Sequence, residues 1–125
     1  MSMKIADAEL EIMRILWRES RPLSYAEIRT ELESTTDWKK STIQTLLGRL
    51  KDKGVIEAKQ HYVTLYSPNI TQEEYVRSEG QTFIDKLFEG SAKNLVASLC
   101  RSGQLNKHDI DELKAFFNME GGDEL

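Results

Sequence analysis

Residues 37–54, Asp-Trp-Lys-Lys-Ser-Thr-Ile-Gln-Thr-Leu-Leu-Gly-Arg-Leu-Lys-Asp-Lys-Gly, hold the densest set of groups able to do recognition chemistry. At about 100° per residue, Ile43, Leu46, Leu47 and Leu50 fall on one face of a helix spanning Lys40 to Lys53. The opposite face presents Ser41, Gln44, Thr45, Gly48, Arg49 and Asp52. That set suits a DNA major groove: the Gln44 amide can bond an adenine edge at two points, and Thr45 can meet a thymine methyl. Gly48 leaves the helix bare where it must approach another surface closely. Lys39, Lys40, Lys51, Lys53 and Lys59 surround this face and can meet phosphates, and His61 is expected near a phosphate as well. An ordinary solvated helix also has one polar, basic face, and a winged-helix protein-interaction module that never touches DNA is the alternative.

The net charge of −4 argues against nucleic acid only as an average. Residues 1–37 carry five Lys/Arg against eight Asp/Glu, and residues 71–125 carry six against eleven. Residues 38–59 reverse the balance, with six basic groups against two acidic ones. Phosphate contacts are local, so the basic island matters more than the total.

The elements that must position this helix can be read from caps and turns. Asp7 is expected to cap a first helix with Leu10, Met13, Leu16 and Trp17 on one side, closed by Pro22. Ser24-Tyr25-Ala26-Glu27 reads as a capping box opening a short second helix that buries Ile28 and Leu32. Gly54 ends the third helix. Val55 to Lys59 and Tyr62 to Ser67 are expected to form a hairpin turning at Gln60-His61, closed by Pro68. A second capping box, Thr71-Gln72-Glu73-Glu74, opens a helix stopped by Gly90. Ser91 to Arg101 and a helix capped by Asn106 follow, and the tail Glu120 to Leu125 is expected to fray.

The fold class is therefore mainly α with a small β-hairpin: a winged helix-turn-helix followed by a helical dimerisation arm. Two domains are expected, a DNA-binding winged helix over 1–70 and a dimerisation domain over 71–125. The arm has too few residues to bury its own apolar stripes, so Tyr75, Phe83, Leu87, Leu95, Leu99, Ile110, Leu113, Phe116 and Phe117 are assigned to contact with a second copy.

The sequence resembles the penicillinase-repressor family, which includes methicillin-resistance and copper-responsive repressors. The resemblance rests on Ala8 to Trp17, on Trp38 to Gly54, on Tyr66-Ser67-Pro68, and on the stretches Gly90 to Leu99 and Leu105 to Leu113. It implies a homodimeric repressor on a dyad operator of double-stranded DNA, with TACA and TGTA half-sites. Carried over by position, it places Ser41, Thr42, Gln44, Thr45 and Arg49 at the bases. In β-lactam-responsive relatives a membrane-anchored sensor leads to proteolysis within the arm, and the matching bond here is Ser98–Leu99. Release by an unrelated ligand is the other reading. The Cys-x-Cys pairs of the copper-responsive branch do not occur in this sequence.

Other classes find little support. One cysteine (Cys100) and two histidines (His61 and His108) are too few for a metal site, and no cofactor is expected. Cys100 reads as a small core hydrophobe. No Gly-rich phosphate loop, nucleophile elbow or paired-histidine motif suggests an enzyme. No apolar run approaches the ~20 residues that cross a bilayer, and the expected address is cytoplasmic, with no direct membrane insertion.

Overall fold

Apolar spacing on the first helix sets the core. In the computed structural model, which describes residues 4–119, Ile12, Met13, Ile15 and Leu16 of α1 (Asp7–Glu19) are buried. Asp7 is the first helical residue and not the cap. Ala6 holds the cap position, and its N–H donates to Glu9 Oε1 at 2.9 Å. The helix ends before Pro22, at Ser20 in the left-handed region (φ 57°).

Two residues, β1 (Leu23–Ser24), then form a strand that the sequence pattern does not announce. They lead into α2 (Tyr25–Glu33), where the expected capping box closes: Glu27 N–H donates to Ser24 Oγ, and Ser24 N–H donates to Glu27 Oε1. α2 buries Ile28 and Leu32, and α3 (Lys40–Asp52) buries Ile43, Leu46, Leu47 and Leu50. Gly54 adopts φ 77°, a conformation that lets the chain leave α3 sharply into β2 (Ile56–Gln60). β3 (Thr64–Pro68) pairs antiparallel with β2 and, on its other edge, with β1, in the order β1-β3-β2. The pairing of Gln60 with Thr64 moves the turn to His61–Val63, so Tyr62 belongs to the tip and not to the strand.

Three helices follow: α4 (Gln72–Phe88), α5 (Ala92–Arg101) and α6 (Lys107–Met119). Thr71 with Glu74 and Asn106 with Asp109 cap α4 and α6 where the sequence sets their starts; Ser91, expected as the first helical residue of α5, is its cap instead. The tail Glu120 to Leu125 lies outside the described residues. The chain divides into two compact units, one running to Gly80 and the other starting at Gln81. The division into compact units falls inside α4. Ile70 is buried in the first unit, Trp17 Nε1 donates to its carbonyl at 2.8 Å, and the Tyr75 ring lies 5.8 Å from that of Trp17.

Two stability outcomes follow from these helices. The Arg21 guanidinium, then the Ser24 backbone N–H, hold the Glu27 carboxyl down at about 2, against an ordinary 4.5. A carboxylate whose pKa is lowered by folding stabilises fully above its unfolded value, and that contribution disappears as pH falls through the folded one. The melting temperature of the chain should therefore drop more steeply between about pH 4.5 and 2 than that of Glu27→Gln; parallel calorimetric curves would refute the assignment. A Cβ added at Gly48, in the exposed middle of α3, would meet nothing within 4 Å. Gly48→Ala should stabilise the chain by about 0.5–1 kcal/mol in urea unfolding, and a loss of stability would expose a contact at that position.

Candidate nucleic-acid interface

The surface of α3 follows from the burial of its other side. With Ile43, Leu46, Leu47 and Leu50 turned into the core, Ser41, Thr42, Gln44, Thr45, Gly48 and Arg49 are left in solvent. Ser41, Thr42, Thr45 and Arg49 line one shallow depression together with Leu46. Gln44 and Lys40 line a groove of about 360 Å³, whose other walls are Ser24, Tyr25 and Ala26 at the start of α2 and Val63, Thr64 and Tyr66 of the hairpin. The structure thus brings all five sequence-assigned base-reading residues onto one exposed helix face, and sets the wing beside Gln44.

The N-terminal end of this helix differs from its neighbours in charge. α1, α2, α4 and α6 each have an acidic residue in the first turn; α3 and α5 have none. Its cap is Lys39, whose side chain makes no capping hydrogen bond. Unfilled N–H groups, the positive end of the helix dipole and the exposed Lys39 and Lys40 therefore coincide, an arrangement suited to an anion such as a phosphate.

Other basic residues are placed less uniformly. Lys59 is exposed and lies 3.4 Å from the Glu57 carboxylate, a solvent-screened pair. His61 is exposed in the turn and its N–H donates to the Val63 carbonyl at 3.0 Å. Lys53, assigned by sequence to a phosphate, is engaged within its own chain: its ammonium donates to Glu9 Oε1 and to the Lys4 carbonyl. The cause is Glu9 itself: a carboxylate only 1% exposed must find a counter-charge. Burial pushes the Glu9 carboxyl up, yet the Lys53 and Ala6 hydrogen bonds and the Lys53 and Arg49 charges outweigh it and hold it below its ordinary value.

Sequence reasoning missed Glu9, although a signal existed. Glu9 sits four residues after Ile5 and four before Met13, on the stripe that the apolar residues define. It also missed Tyr62, fully exposed at the wing tip, and Val63, 55% exposed beside it.

In the second unit, Phe83, Leu87, Leu113, Phe116 and Phe117 are exposed, and Leu95, Leu99 and Ile110 are half-buried. Tyr75, assigned by sequence to contact with a second copy, packs on Trp17 of its own chain. Cys100, read as a core hydrophobe, is exposed, and Val96 is 42% exposed. Ser98 and Leu99 lie inside α5, and both are half-buried. Among the described residues no cluster of His, Cys, Asp or Glu is arranged to hold a metal ion, and no helix is long and apolar enough to cross a membrane.

Comparison with known proteins places this geometry. The family model for the penicillinase repressor matches residues 5–118. The chain is 34% identical over 111 residues to the penicillinase repressor of Bacillus licheniformis, covering 88% of this chain and 86% of that one. It is 32% identical over 116 residues to the penicillinase repressor of Staphylococcus aureus, covering 92% and 91%. Among solved structures it is similar to the monomeric form of Bacillus licheniformis BlaI in complex with the blaP half-operator, at 40% identity and a TM-score of 0.51 over 58% of this chain and 88% of that one. The DNA-binding domain of the repressor BlaI gives 40% identity and a TM-score of 0.52 over 60% and 94%. Residues 5–118 include the wing, the bare face of α3 and all three following helices, and the chain belongs to the penicillinase repressor family.

Proposed function

We propose that this chain is a DNA-binding transcriptional repressor that acts in the cytoplasm as a homodimer on a dyad operator with TACA- and TGTA-like half-sites. The observation that carries the reading is the exposed face of α3 with the wing beside it, in a head 40% identical to one solved on a half-operator. In this reading Ser41, Thr42, Gln44, Thr45 and Arg49 read bases, and Lys39 and Lys40 meet phosphates at the start of α3. Lys59 and His61 reach the backbone from the wing, with Tyr62 against the sugar edge beside them. An acidic arm is repelled by DNA, which favours its use in joining two copies; its exposed apolar residues supply the contact.

Two heads held together engage two half-sites at high effective concentration, so loss of the arm weakens occupancy without unfolding the heads. A cut between Ser98 and Leu99 by a membrane-anchored sensor protease, or one it activates, would end repression in this way. That bond lies within a helix whose Ser98 and Leu99 carbonyls accept hydrogen bonds from Ser102 and from Gln104 and Leu105. α5 must therefore open before a protease can take the bond as an extended strand.

Selection from random duplexes followed by gel shift tests the reading: a palindromic consensus supports it, and no enrichment would favour a protein-interaction module. On the selected duplex, Gln44→Ala should cost about 1–3 kcal/mol and relax preference at one position per half-site. Lys39→Ala should weaken all duplexes alike and lower the salt slope by about 1. A chain ending at Gly80, which keeps Ile70 and Tyr75 on the head, should sediment as a folded monomer and bind the selected duplex far more weakly. A dimer of that chain would refute the division of labour.

A further inference from the structure

Glu9 is the one charged side chain buried among the described residues, and it joins two elements that otherwise meet through aliphatic groups. On α1 it accepts from Ala6 N–H and from Lys53, the residue that caps the C-terminal end of α3. Lys53 also donates to the Lys4 carbonyl at 2.9 Å, and its own N–H returns to the Arg49 carbonyl. Apolar packing between α1 and α3 is non-directional and tolerates small slides and rotations. An ammonium shared between a buried carboxylate and a backbone carbonyl does not, because each displacement leaves a charge unpaired out of water.

Stability alone gives little reason for such a pair, since well-packed aliphatic residues commonly stabilise as well or better. Geometry gives a stronger one. Base reading from Ser41 to Arg49 fails if the helix is misplaced by about an ångström, and apolar contacts do not define its position that closely. Resting on the DNA-binding reading above, we propose that Glu9 and Lys53 are positioning residues for base recognition. They fix the end of α3 against α1, and Lys53 does not serve as a phosphate ligand.

The test uses the full chain, the duplex that it selects from a random pool, and a scrambled duplex of the same composition. Affinities for both are measured across a salt series, at a temperature below the melting point of every variant. Lys53→Met leaves a bare buried carboxylate and should lower the melting temperature. Adding Glu9→Gln removes that charge and should restore it. The double variant should nevertheless lose about tenfold or more in the ratio of selected to scrambled affinity, the size of one lost base contact, with its salt slope unchanged. Lys53→Arg, which keeps a cation at Glu9, should retain the ratio. A double variant with the wild-type ratio and slope would show that packing alone sets α3, and would overturn the proposal. A slope lowered by about 1 at an unchanged ratio would make Lys53 a phosphate ligand and overturn it too. If the wild-type chain selects no duplex, the DNA-binding reading fails before any variant is compared, and the proposal falls with it.

Discussion

Everything the head presents depends on how α3 is divided between core and water. Four aliphatic residues on one side, Ile43, Leu46, Leu47 and Leu50, are removed from solvent by α1, α2 and the sheet. Burial of each is worth about 1.5–3 kcal/mol, enough to hold the helix by one side alone. The exposed side is then free to carry groups that add nothing to folding. A mid-helix glycine, an uncapped and acid-free first turn, and a row of hydroxyl and amide side chains are all poor choices for a helix selected only for stability. They are tolerated because the buried side needs no help from them.

Much of this arrangement was legible from residue types because it is local. Capping boxes at Ser24, Thr71 and Asn106 involve residues three apart, and Gly54 announces its conformation through its identity. The face of α3 follows from a period of 3.6. What was not legible depends on partners distant in sequence. β1 is two residues long, too short to show alternation, and exists only because β3 offers it an edge. Lys53 looks like any surface lysine until Glu9, 44 residues earlier, is found beneath it. Tyr75 carries the same apolar signature as Phe83, and nothing local says that one packs on Trp17 while the other stays in water.

The second unit reverses the logic of the head. Its helices are well capped, yet no residue of α4 or α5 is fully buried. Capping fixes where each helix starts and stops; it contributes nothing toward covering Phe116, which is 64% exposed. Local structure here is complete within one chain, while the apolar side chains stay exposed. The two units thus use one alphabet for opposite ends, the head turning its aliphatic residues inward and the arm turning them out.

The bond from Trp17 Nε1 to the Ile70 carbonyl spans 53 residues, and β1 likewise waits for β3. During synthesis the chain emerges from its N-terminus at roughly 5–20 residues per second, so α1 and α2 leave the ribosome seconds before their partners. They are too short to persist alone as stable helices in water. Loop closure over such a separation must precede the contacts that reward it, so the head cannot close until these distant segments have been made. A nascent chain halted before Ile70 therefore lacks the acceptor that fixes the Trp17 indole, although α2, α3 and the hairpin are already made and can cover α1. The first turns of α4 complete the head, and the arm is made last, so the exposed face of α3 is set before the apolar side chains of the arm emerge.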